Sequence, residues 1–151
     1  MHALLHRVAR QLPMPARRFA TPARILVLVQ FMKFGTVGFS GLAVDTATVY
    51  SLRHWLGLYG AGAAAYLVGA TTTWVLNRLW TFRGLGSGPV HQQWARFLYF
   101  NIFGFILNRG TYAVLVTFVA LCARQPVFAT SAGAVVGMFL NFRLSRTMVF
   151  R

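Results

Sequence analysis

One carboxylate side chain, Asp45, faces 15 lysines and arginines in this 151-residue chain. It stands inside an apolar run and shares a helical face with Gly38 and Gly41. A charge in such a place normally faces other protein and has a partner or a task. Asp45 offers three chemistries: accepting hydrogen bonds from hydroxyls, carrying a coupling proton, or pairing with Arg109 or Lys33. Arg109 sits at similar depth in another apolar run, counted by helical rise. Its planar fork of donors suits phosphate better than an ammonium does. It reads either as a phosphate ligand or as the partner of Asp45. Arg78 and Arg146 hold matched positions near the ends of two further runs. They either reach out to lipid headgroups or receive a phosphate as a pair. Asn77 and Asn141 lie in the same two segments, and an amide in an apolar medium must find a partner. Trp80 and Trp74 offer faces for stacking, although anchoring at a membrane interface is the commoner use of Trp, and Trp94 reads as such an anchor.

No catalytic set emerges. A single carboxylate excludes paired-acid glycoside hydrolysis. His2, His6, His54 and His91 lack metal-ligand spacing, Cys122 is alone, and no glycine-rich phosphate loop joins a strand to a helix. The expectation is a non-enzyme without metal or cofactor.

The elements that must position these residues follow from composition. Apolar residues supply 57% of the chain, charged residues 11%, and Phe occurs 14 times. That leaves too little polar surface for a soluble domain. The net charge of +14 is gathered between apolar runs instead of spread over a polar surface. Such clustering excludes a soluble nucleic-acid binder, and the composition excludes a disulfide scaffold and a disordered chain. An all-α integral membrane protein is expected, with four transmembrane helices near 25–52, 60–82, 97–121 and 126–150. The joints fall at Arg53-His54, at 83–96 and at 124–126. Arginines concentrate in the N-terminal segment, the middle joint and the C-terminal end, which places both termini on the cytoplasmic side of the membrane. Residues 1–24 read as a basic cytoplasmic tail, either an interfacial helix or a topology-fixing segment, and not as a cleavable signal.

The remaining 25–151 carry a duplication. Residues 31–39 align with 97–105 at an offset of 66, and 73–83 align with 141–151 at an offset of 68. Repeats of about 31–83 and 97–151 are therefore expected as two parallel two-helix hairpins. The second helix of each carries a small-residue track suited to close packing: Ala65, Gly69, Thr73, Asn77, and Gly133, Gly137, Asn141, Ser145.

These residues resemble the GtrA-like family of four-helix membrane proteins. The resemblance rests on Phe31, Gly35, Gly38 and Asp45 in the first run and on Asn77-Arg78-Leu79-Trp80-Thr81-Phe82 closing the second. An echo in Asn141, Phe142, Arg146, Val149 and Phe150 closes the fourth. It covers about residues 30–151; Thr73 and Met148 stand where the family often has Asn and Trp. The resemblance implies translocation of a polyprenyl-phosphate-linked sugar across the cytoplasmic membrane for cell-surface polysaccharide synthesis. Asp45 would then accept from sugar hydroxyls while Arg109 holds the lipid phosphate. Expected partners are that lipid, the surrounding membrane lipids, a glycosyltransferase and a second copy of the chain, with no nucleic acid. Two other functions fit the same helices: a non-transporting anchor that recruits a glycosyltransferase, and a small multidrug-type proton-coupled exporter.

Overall fold

The computed structural model describes residues 21–86 and 88–150. Most of the basic tail lies outside the described residues. Thr21 opens the first helix, its Oγ1 accepting from the Arg24 N–H at 3.4 Å. Pro22 follows in the first turn, where its missing N–H costs nothing. The helical run Pro22–Leu76 is broken at Gly57, whose φ of 65° and ψ of 177° suit only a residue without Cβ. It is therefore two helices, α1 (22–56) and α2 (58–76). The break falls beyond the expected Arg53-His54 joint. Arg53 stays helical, with its guanidinium 4.7 Å from the Tyr50 ring centre.

Then come α3 (Val90–Phe118), the short α4 (Ala120–Arg124) and α5 (Pro126–Leu144). Extended Pro89 lets α3 begin seven residues before the expected start at Phe97. Both α2 and α5 run on into a π-helical turn, Asn77–Thr81 and Ser145–Val149. In each the wide bond closes the turn: Phe82 N–H to the Asn77 carbonyl at 2.8 Å, and Phe150 N–H to the Ser145 carbonyl at 2.9 Å.

Among the described residues there is no strand. Two helical segments, Pro22–Thr81 and Pro126–Val149, are long and apolar enough to cross a membrane. The first contains both α1 and α2. Large apolar side chains lie on the outside, with Trp55, Tyr59 and Phe118 at least 80% exposed. Small ones lie inside, including Ala61, Ala65 and Gly69 on α2 and Ala129, Gly133 and Gly137 on α5. This distribution suits lipid, where helices associate through close backbone approach and not through hiding apolar bulk from water.

The small residues pair the helices. Gly41 of α1 meets Gly69 and Thr73 of α2, and Gly104 of α3 meets Gly137 and Asn141 of α5. A Cβ on Gly137 would stand 2.7 Å from the Gly104 carbonyl oxygen, and one on Gly133 2.6 Å from that of Asn108. The two hairpins join through a buried cluster of Phe34, Trp74, Phe82, Phe97, Phe142, Val149 and Phe150.

Contacts in the cluster are reciprocal. Phe34 lies 6.2 Å from Phe82, and Phe97 lies 6.2 Å from Phe150. Phe82 and Phe150 stack on each other at 4.7 Å and 18°. These pairs correct the register expected for the first helices of the two hairpins. The contacts match Gln30 with Gln93, Phe34 with Phe97, Gly41 with Gly104 and Asp45 with Asn108, an offset of 63 in place of 66. The offset of 68 between α2 and α5 matches the contacts. The three-residue slip is nearly one helical turn, so it keeps the same faces while misassigning their counterparts.

Candidate functional site

A cleft of about 450 Å³ opens between the hairpins, above the aromatic cluster. All four long helices line it. Phe34, Gly38, Gly41 and Asp45 come from α1; Tyr66, Gly69 and Thr73 from α2; Phe97, Asn101, Gly104 and Asn108 from α3; Gly137, Met138 and Asn141 from α5. Asn77, at the start of the first π turn, also lines it. Gly38 faces open space, where a Cβ would meet nothing within 4 Å, while Gly41, Gly69, Gly104 and Gly137 hold the helices of each hairpin together beside it.

The chemistry of the lining is specific. It holds four amides, two hydroxyls and one carboxylate, and no Lys, Arg or His. Asn77 is 1% exposed and its Oδ1 has no hydrogen-bond partner; Asn141 Oδ1 likewise has none. An acceptor left dry and unpaired costs about 1–3 kcal/mol, which a ligand donor would recover. Asn101 is partly used already, its Nδ2 donating to the Phe97 carbonyl at 2.8 Å. Thr73 Oγ1 donates to the Ala70 carbonyl at 2.9 Å, which leaves its lone pairs for an incoming donor. Asp45 is half-buried beside Gly69.

Three of the expected site residues, Asp45, Asn77 and Asn141, therefore come together. Arg109 does not join them. It follows Asn108, which packs against Gly133 and Gly137, and one step along a helix turns the side chain about 100° away. Arg109 is exposed, with its guanidinium 5.6 Å from the Phe105 ring centre. The expected Asp45–Arg109 pair is thus absent among the described residues. So is Asp45–Lys33, because the Lys33 ammonium lies 5.2 Å from the Trp80 ring centre. Trp80 is 47% exposed and outside the cleft. With Arg109 and Lys33 held off the cleft, neither stands where it would repel a cation bound there.

Arg78 and Arg146 form a second matched set. The Arg78 guanidinium donates to Gln93 Oε1, and Arg146 Nε donates to Gln30 Oε1 at 3.0 Å. Both glutamines are buried. Each clamp links the last turn of one hairpin to the first helix of the other. Gly86, with φ of 100°, lies directly against the Gln93 amide, where a Cβ would collide with Nε2. Trp94 is no simple interface anchor, since its Nε1 donates to Thr71 Oγ1 at 3.0 Å. Trp74 is buried within the aromatic cluster, and neither Trp lines the cleft.

Sequence reasoning missed Asn101, Asn108, Tyr66 and Thr73 as lining residues. The signal that could have found two of them is the spacing of Asn101, Gly104 and Asn108 on one helical face.

The family model for the GtrA/DPMS transmembrane domain matches residues 33–150. No curated protein matches the chain.

Proposed function

The chain belongs to the GtrA/DPMS transmembrane-domain family, and from that premise we propose that it translocates a polyprenyl-phosphate-linked sugar across the cytoplasmic membrane. Family membership makes it a membrane protein of glycosyl-lipid processes. The observation that carries the finer reading is the cleft: polar amides and a carboxylate gathered where the outer surface of the same helices is apolar. Polar groups inside a lipid-facing bundle are costly and mark a path or a binding site. A lipid tail can stay against the apolar exterior while a polar headgroup enters between the hairpins.

In this reading α1, α2, α3 and α5 are four spans, two parallel hairpins with both termini cytoplasmic. α3 contributes the amides of Asn101 and Asn108 to the cleft. The protein supplies no bond-making chemistry. A glycosyltransferase on the arginine-rich side would provide the lipid-linked sugar, and a second copy of the chain would close the open face of the cleft. The anchor alternative leaves the cleft unused. The exporter alternative would use Asp45 for a cation.

The test is reconstitution. Vesicles carrying a fluorescent polyprenyl-phosphate sugar in both leaflets are treated with a membrane-impermeant quencher or oxidant. Translocation makes the whole pool accessible, whereas an anchor leaves the inner-leaflet half protected.

A further inference from the structure

We infer that the cleft takes the uncharged, hydroxyl-bearing ring of its ligand and keeps the phosphate outside. This rests on the translocation reading but assigns the parts of the ligand, which that reading leaves open. Two independent observations carry it. The first is charge. The cations nearest the cleft in sequence are held elsewhere: Lys33 on Trp80, Arg78 on Gln93 and Arg109 on Phe105. The lining contains Asp45 as its one carboxylate and no Lys, Arg or His. A phosphate placed there would meet a carboxylate in a low-dielectric space with no compensating charge, which disfavours it strongly.

The second is the unpaired buried acceptor. Asn77 Oδ1 is dry and without a partner, and it lines the cleft. A carbonyl oxygen needs a donor, and a phosphate has none to give when ionised. Sugar hydroxyls donate and accept at once. They can donate to Asn77 Oδ1, Asn141 Oδ1 and the Asp45 carboxylate while accepting from amide N–H groups of the same lining. An ammonium ligand would satisfy Asp45 but could accept nothing from those amides. The contact-matched positions differ in chemistry, Asp45 against Asn108 and Thr73 against Asn141. A ring with unlike faces suits such walls.

The experiment titrates the full chain in lipid nanodiscs with dodecyl glycosides of glucose, galactose and mannose, with dodecyl phosphate, and with dodecyltrimethylammonium. Retention is read by native mass spectrometry. At least one glycoside is expected to bind, and Asp45→Asn should weaken it at least about tenfold, the loss of a hydrogen bond to a charged group. Asn77→Leu should weaken the same glycoside. Thermal unfolding of both variants checks that each is folded. Dodecyl phosphate should neither displace the glycoside nor respond to either substitution. Glycoside binding that ignores both variants, displacement by dodecyl phosphate, or binding of the ammonium alone would each overturn the inference. Failure of the translocation reading is separate: it would show as glycoside binding that depends on Asp45 in a protein that moves no lipid in vesicles.

Discussion

Replacing Gly137 by Ala should loosen the second hairpin, and the structure says by how much. The added Cβ would lie 2.7 Å from the Gly104 carbonyl oxygen and 3.0 Å from Asn108 Cβ. An ordinary carbon–oxygen contact is about 3.3 Å, so α5 must retreat from α3 by roughly half an ångström. The obstacle is backbone and cannot swing aside. The same helix face is equally tight one turn earlier, where Gly133 approaches the Asn108 carbonyl. A retreat therefore thins contacts along two turns, and gaps of this size forfeit about a quarter to a half of each contact's attraction. Overpacking of this kind costs about 1–3 kcal/mol. Gly110 on α3 is the control. It is exposed, and a Cβ added there would meet nothing within 4 Å, so Gly110→Ala should gain up to about 1 kcal/mol from helix propensity alone. Chemical unfolding in detergent, followed by tryptophan fluorescence, should separate the two variants by about 1–4 kcal/mol. Equal stability of both variants would refute the close α3–α5 packing.

Three further outcomes are expected. Asn77→Leu should hold or raise stability by about 1–2 kcal/mol, because it removes an unpaired buried acceptor, while translocation is lost; a clearly destabilised variant would mean that the amide is partnered in the fold. Gln93→Leu and Gln30→Leu should each destabilise by about 1–3 kcal/mol, since each strands a half-buried guanidinium, whereas Gln92→Leu at an exposed position should be neutral in the same unfolding assay. Reporter fusions after Arg124 and at the C-terminus should report opposite sides of the membrane, as the arginine distribution requires; the same side for both would remove the fourth span.

Much of this was legible in the residues, and the illegible part has a physical cause. Apolar bulk with clustered arginines specified helices in lipid, and the small-residue tracks named the α2 and α5 faces that pack, through Gly69, Gly133 and Gly137. Asn77 and Asn141 stood out as amides in apolar surroundings, and both line the cleft. The register of the repeat was missed because phenylalanine is common enough here for a false alignment to look good. Buried Gln30 and Gln93, each followed by an aromatic residue and three further on by a cation, carried the true offset. Arg109 illustrates the other difficulty. Depth along a helix can be counted, but the direction a side chain takes depends on which neighbour packs, and here Asn108 took the inward position.

The most direct test of the account is where the ligand sits. A lipid-phosphate sugar bearing a photoreactive diazirine on its ring would be crosslinked to the protein in membranes and the labelled peptides identified. Labels are expected on both hairpins at the cleft wall, within 38–45 or 69–77 and within 101–108 or 137–141, and should be lost on competition with an unlabelled glycolipid. Labels confined to the exposed outer faces, or centred on the exposed Arg109 and unaffected by competition, would contradict a ring bound in the cleft.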